Sequence, residues 1–372
     1  MAEEKPTVLI VGGLNYFGRF LAQHLHNNDL ASDVRLVDKI LPQLAYLAPE
    51  MEEACSMDKF VQADPGREQS LPRIFNREDG KEFDYVIDFF GEWRLSQPEE
   101  VYRLRSHIPT VTLAKEAARR GVKAFIELSS ATIYSSTKKP VKEGAPEKPI
   151  FKGAKWQLQT EKELKKIEGL NLVILRMPLY YGAYSTGLIS TSVCMARAYQ
   201  ALQKPLTLLN HSEQPMTTVW VGDLARAAFH AAEWRAKMGP RKPTDHILFN
   251  LADQNRTTKE KVAEALRQEF NIKVGFVGTL LTQFAKLNAE SVVEDMNDET
   301  LTIWADILQQ KGITRPGPIT PFLEKEMLKE TDLCIDGSLF KEVTGFEYER
   351  PVPPPNWIRE IIESYERMGW WP

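Results

Sequence analysis

The run Val8-Leu9-Ile10-Val11-Gly12-Gly13-Leu14-Asn15-Tyr16-Phe17-Gly18 joins an apolar strand, a glycine turn and the start of an amphipathic helix. Such a corner aims backbone N–H groups and the positive end of the helix dipole at one point, where a diphosphate gains hydrogen bonds and dipole stabilisation together. About twenty residues beyond Gly18, the strand Val34-Arg35-Leu36-Val37 ends in Asp38. A carboxylate there accepts hydrogen bonds from an adenosine ribose and repels a 2′-phosphate, so the spacing points to NAD rather than NADP. Turn chemistry alone also explains many short glycine patterns; the order strand, turn, helix, strand and terminal acid is what favours a dinucleotide. One position is irregular. Asn15 stands where a third glycine is usual, and although asparagine tolerates positive φ, its side chain takes up space beside the phosphates. Cofactor binding is therefore expected to be weakened or slightly displaced.

Alternating strands and helices must position this corner. Lys59–Asp64 and Phe83–Gly91 read as the third and fourth strands, each a short apolar run followed by turn signals. A helical pattern over Glu99–Arg120 leads to the strand Ala124–Ser130, and a helix over Lys155–Ile167 leads to Leu172–Arg176. Near-continuous apolar strands between helices predict a Rossmann-type α/β fold, a doubly wound parallel sheet covered on both faces. Prolines punctuate the second half, where helices are expected at 223–237, 258–270, 292–311 and 356–368. We expect residues 1–178 to be mainly the dinucleotide-binding domain and 179–372 mainly a smaller substrate-binding lobe, with about 215–252 returning to the first. Trp370-Trp371 is expected to dock the terminus onto the body.

Bulk properties exclude several classes. With 372 residues, 43% hydrophobic and 26% charged, the chain can bury a sizeable core. A net charge of −4 offers no basic field for nucleic acid, which disfavours RNA binding by a degenerate relative. Cys55, Cys194 and Cys334 are scattered without metal-ligand spacing, so no metal is expected and a reducing compartment fits. No run approaches the roughly 18 apolar residues a membrane span needs, and the first strand begins almost at the N-terminus; both predict a cytoplasmic protein without membrane attachment.

Further motifs add a family resemblance. They are Ser129-Ser130-Ala131-Thr132-Ile133-Tyr134 after the fifth strand, Leu175-Arg176-Met177-Pro178-Leu179-Tyr180-Tyr181-Gly182 after the sixth, and Val219-Trp220-Val221-Gly222-Asp223-Leu224-Ala225. Phe249-Asn250-Leu251 with Thr257-Thr258, and Asp336-Gly337-Ser338 with Thr344-Gly345-Phe346, continue the pattern. Over nearly its whole length the chain resembles the extended short-chain dehydrogenase/reductase family, the NAD-dependent epimerase/dehydratase group that includes UDP-galactose 4-epimerase. The resemblance implies NAD along Gly12, Gly13, Asn15, Tyr16, Phe17, Gly18, Asp38, Lys39, Asp64, Phe89, Phe90, Gly91, Ser129, Lys155, Met177 and Pro178.

In that family a tyrosine and a lysine four apart, on the helix after the fifth strand, transfer the proton while a serine orients the substrate oxygen. Here the matching positions are Phe151 and Lys155, with Ser130 as the serine and Ser106 at a supporting asparagine. Phenylalanine cannot donate or accept a proton. Tyr134-x-x-x-Lys138 has the literal spacing but falls too early, and Tyr134 reads as structural. His107 and Tyr181 are alternative acid/base candidates, with structural or pocket-wall roles as the alternative for each. Glu92 and Arg94 could meet a polar substrate or simply pair with each other. Two functions remain open: an NAD-dependent oxidoreductase or isomerase acting on a hydroxyl- or keto-bearing small molecule such as a nucleotide sugar, or a non-catalytic NAD-binding scaffold or sensor. The resemblance also implies a homodimer through the helices flanking the fifth strand.

Overall fold

Apolar side chains on both sides of each central strand force helices onto both faces of the sheet. The computed structural model, which describes residues 4–208, 210–242, 245–276, 289–329 and 331–372, has this arrangement. The sheet contains β1 (Thr7–Val11), β2 (Asp33–Asp38), β3 (Phe60–Gln62), β4 (Tyr85–Asp88), β5 (Ala124–Ser130), β6 (Leu172–Met177) and β10 (Leu248–Asn250). All pairings are parallel, in the order β10-β6-β5-β4-β1-β2-β3. Alternate residues divide between two cores. Val8, Ile10, Leu36, Ile87 and Ile126 pack with α1 (Tyr16–Asn27) and α7 (Val221–Lys237), whereas Leu9, Val11, Val37, Val86 and Phe125 pack with α2 (Leu71–Phe75) and α4 (Ile108–Arg120).

Strand order reverses at β1, whose neighbours are β2 on one side and β4 on the other. At such a switch point the crossovers leave in opposite directions and open a crevice beyond the carboxyl ends of the strands. Val11, Val37 and Asp88 lie in register at those ends.

The helix expected over 99–120 is interrupted. It forms α3 (Glu99–Tyr102), a wider five-residue turn (Arg103–His107) and then α4. Pro109 has no N–H for the carbonyl one turn earlier, which favours a wider turn at that point. The next helix, α5 (Lys152–Leu164), starts three residues earlier than expected. In the second half, β10 pairs with β6 at the sheet edge and α7 packs on β4, β5 and β6. The remaining elements include β7 (Leu179–Tyr181), α6 (Leu188–Leu202), β8 (Leu206–Leu208), β9 (Thr218–Trp220), α8 (Lys259–Phe270) and β11 (Val274–Phe276). Helices at Ala289–Gln310, Ser338–Thr344 and Trp357–Arg367 also belong to this half. Trp370 is buried against Tyr365, Tyr184 and Tyr46, so the terminus is docked. Among the described residues no helix is long and apolar enough to cross a membrane.

Candidate functional site

The turn after β1 is closed around its own backbone. Gly12 and Gly13 donate their N–H groups to the Val37 carbonyl at 2.8 and 3.0 Å, and Asn15 donates to the Gly12 carbonyl at 3.2 Å. Gly12 has φ +73°, and a Cβ there would lie 2.8 Å from the Phe89–Phe90 backbone. A Cβ on Gly18 would lie 2.2 Å from the Gly12 oxygen, so both glycines are required sterically. Asn15 is extended rather than left-handed, with φ −70° and ψ 177°. Its Oδ1 accepts the N–H groups of Phe17 at 3.0 Å and Gly18 at 2.9 Å, and its Nδ2 donates to the Phe89 carbonyl at 2.6 Å. The expected obstruction is thus an N-cap: the side-chain oxygen sits where an anion would sit.

Asp38 closes the other side of the crevice. Its Oδ2 accepts the Leu14 N–H at 3.2 Å and its Oδ1 the Lys39 and Ile40 N–H groups at 2.7 and 3.3 Å. Burial pushes its carboxyl above the usual range, while these amides and the Lys39 ammonium oppose the shift. Lys39 bridges to Asp64 at 2.9 Å and lies over the Phe90 ring. Gly91 lies against Ser106, whose Oγ accepts the Glu92 N–H at 2.9 Å.

An aromatic bridge links this crevice to a cavity. Phe17 packs edge-on against Trp93 and Tyr180, with centroids 5.4 and 5.0 Å apart, and Tyr16 lies beside Tyr180. Trp93 and Tyr180 also line a cavity at the carboxyl ends of β5 and β6, together with Ser130, Thr132, Phe151, Met177 and Pro178. Ser130 and Met177 are register partners there. The Ser130 Oγ accepts the Thr132 N–H at 3.1 Å and lies 2.7 Å from the Thr132 hydroxyl. Glu92 and Arg94, also in the lining, form a bidentate ion pair at 2.7 and 2.6 Å.

The Lys155 N–H donates to the Phe151 carbonyl at 3.1 Å, but of the two residues only Phe151 lines the cavity. Phe151 is the extended N-cap of α5, with φ −84° and ψ 142°, and its buried ring faces the cavity. Residues four apart share a face only when both are helical. Lys155 is exposed, and α5 instead turns Gly153, Ala154 and Gln157 toward the cavity. Over Gly153 lies the Tyr102 ring, 3.0 Å from where a Cβ would stand. The Tyr102 hydroxyl is held by the 94–97 loop, within 2.6 Å of the Arg94 and Leu95 carbonyls and accepting the Gln97 N–H.

The other candidates divide in the same way. His107 bonds Thr160 at 2.9 Å and packs on Trp156, on the side of α5 that carries Glu163; burial lowers its pKa. Tyr181 is buried against Trp357, and its neighbour Tyr180 lines the cavity in its place because successive strand residues face opposite ways. Ser129 points inward: its hydroxyl donates to Glu161 at 2.7 Å, and Glu161 holds the fully buried Arg176 at 2.8 and 2.6 Å. Tyr134 bonds Asn250 and stacks on Arg176, a structural role. Sequence reading missed Trp93, Gly153 and Gln157 at the cavity; a helix begun at Lys152 instead of Lys155, which sets Gly153 and Gln157 four apart on one face, is the signal that would have found the last two. Among the described residues no group of three or more His, Cys, Asp or Glu side chains could hold a metal ion.

The model of the NAD dependent epimerase/dehydratase family matches residues 8–247. No curated protein sequence matches the chain significantly. Solved structures share its fold from end to end. WbmG of Bordetella bronchiseptica, in complex with NAD and UDP, superposes with a TM-score of 0.67 at 12% identity over 99% of this chain and 97% of that one. UDP-N-acetylglucosamine 4-epimerase of Methanobrevibacter ruminantium gives 0.64 at 16% identity over 99% and 98%. UDP-glucose 4-epimerase of Thermus thermophilus, in complex with NAD, gives 0.64 at 16% over 97% and 99%.

Proposed function

Because the chain belongs to the NAD-dependent epimerase/dehydratase family, we propose that it binds NAD across the switch point of the sheet and holds a hydroxyl- or keto-bearing small molecule in the adjoining cavity, with its proton handled by a group other than a helix tyrosine. The observation that carries this reading is the contact between the two parts: Phe17, in the first turn of α1, touches Trp93 and Tyr180 of the cavity wall. On the adenosine side the residues fit the cofactor, with Asp38 at the end of β2 and the Lys39–Asp64 pair beside it. The Gly12–Gly18 turn has the close backbone approach that a diphosphate needs. On the diphosphate side the Phe17 and Gly18 amides become available when Asn15 rotates away. Bound NAD supplies a hydride acceptor, and NADH a donor. The chain's own part is to orient the substrate oxygen near Ser130 and to keep water from the reacting carbon with Phe151, Leu179 and Tyr180.

A homodimer through α4 and α5 belongs to the same reading, as does a reducing compartment, which the three unpaired, buried cysteines support. Denaturing the purified chain and quantifying the released nicotinamide dinucleotides tests it. Stoichiometric NAD, with a fraction as NADH, supports redox turnover. No dinucleotide, together with no thermal shift on adding NAD, sinks the reading.

One observation favours the second reading, a non-catalytic NAD-binding protein: the α5 residues at the cavity, Gly153, Ala154 and Gln157, carry no ionisable group. Turnover that Ser130→Ala abolishes, with NADH affinity retained, decides for the enzyme.

A further inference from the structure

The cavity does not end at β5 and β6. Leu95, Thr132, Phe151, Leu179, Leu188 and Met327 line both the chamber beside Ser130 and a second, deeper chamber reaching α6, α8 and the helix Ala289–Gln310. Leu208, Leu333, Val262 and the methionines Met195, Met216, Met296 and Met327 give this chamber a largely apolar exposed wall, which also carries Thr191, Ser192, Asn210, Gln214 and Lys259. The deeper chamber encloses about 1190 Å³ of empty space, part of it open to solvent.

A nucleotide sugar would bring two phosphates, several hydroxyls and a base into this space. Each buried hydroxyl without a partner costs roughly 1–3 kcal/mol, and an unpaired charge costs more. The cations near the chambers are largely committed. Arg94 is bidentate on Glu92, and Lys329 pairs with Glu326 and donates to the Ile150 carbonyl. Among the described residues no arginine lines the deeper chamber. Diphosphate recognition draws on forked donors of that kind. Methionine, unbranched and polarisable, is instead suited to pack against irregular apolar surfaces.

We infer that the substrate is an apolar molecule of fused-ring or similar bulk carrying one hydroxyl or keto group, held with its body against Met216, Val262 and Met296 and its oxygen toward Ser130. This rests on the reading of the cavity as a substrate site and narrows it to a class. Thr132, between Ser130 and the deeper chamber, is among the described residues the polar one common to both chambers, and so sets a hydroxyl beside Ser130 for the ligand's oxygen.

The test uses the full chain saturated with NADH and four probes: the monoketone 5α-androstan-3-one, a decalone, UDP-glucose and UDP-N-acetylglucosamine, followed by thermal shift and tryptophan quenching. NADH binding is measured separately from nicotinamide fluorescence. An apolar ketone is expected to bind at least about tenfold more tightly than either UDP-sugar. Met296→Glu, on a half-buried helix position, and Leu188→Trp, at the junction of the chambers, should each weaken it at least about tenfold with NADH affinity unchanged. Tighter binding of a UDP-sugar overturns the inference, as does failure of both ketones, or ketone binding that neither variant alters. Loss of NADH binding with ketone binding intact would instead remove the dinucleotide reading and leave the cavity assignment standing.

Discussion

The Asn15 side chain spans the crevice, donating to the Phe89 carbonyl at 2.6 Å while its oxygen caps the Phe17 and Gly18 amides. A cofactor diphosphate competes with that oxygen for the same donors. Asn15→Gly removes the competitor and costs only a few tenths of a kcal/mol as an N-cap. Net hydrogen-bond values of about 0.5–1.5 kcal/mol translate to a gain of roughly two- to tenfold in NADH affinity. Asn15→Asp keeps a cap but sets a negative charge against the phosphates, and should weaken binding. A fluorescence titration in which glycine binds NADH no better than asparagine would show that the cap and the diphosphate do not share a seat.

Arg176 and Glu161 are both buried, and Ser129 and Glu147 complete their network. Removing Glu161 leaves the buried Arg176 with Glu147, partly exposed, as its one remaining carboxylate among the described residues, so Glu161→Ala should cost up to about 3–5 kcal/mol in denaturant unfolding. Replacing a solvated pair such as Arg359–Glu363 should cost well under 1 kcal/mol. Equal effects of the two substitutions would mean that the network does not hold the ends of β5 and β6.

Asp88 faces Glu127 across β4 and β5, and both carboxyls are buried. Burial pushes Asp88 up to about 7, and burial with the neighbouring Asp88 also raises Glu127. A raised carboxyl means that the folded state binds more protons than the unfolded one. The contribution of this pair to stability is therefore full below about pH 4 and falls as pH rises through the Asp88 value of about 7. In Asp88→Asn the amide can keep partners at the Phe90 N–H and the Thr110 hydroxyl, so the melting midpoint should fall less steeply between those limits. Parallel wild-type and variant curves would assign the slope to other groups.

How much was readable beforehand depended on whether a feature is local. The β1 turn, α1 and Asp38 lie within one continuous βαβ stretch whose pattern repeats its geometry, so the glycine corner and the strand-end acid were legible. Asn15 was read as an obstruction although its cap is local, two and three residues from the amides it accepts; only its bond to Phe89, 74 residues away, was beyond sequence reading. Trp93 and the deeper chamber depend on loops and a second half that meet only in three dimensions. Whether Phe151 and Lys155 share a face was not legible from a spacing of four, because Phe151 is the extended N-cap of α5 rather than a helical residue.

The extended backbone at Phe151 has a consequence for cofactor binding. With Lys155 exposed on α5 and Gln157 at the cavity, the side chain able to reach a ligand from this helix is the amide. Lys155→Ala should then change NADH affinity by less than about twofold, within the range of ordinary surface substitutions. Gln157→Leu should alter ligand binding in the chamber beside Ser130 without affecting folding, because Gln157 is half-buried. Isothermal titration of both variants with NADH, and with whichever cavity ligand binds the wild type, separates the two positions. A loss of NADH affinity of tenfold or more in Lys155→Ala would return the lysine to the cofactor.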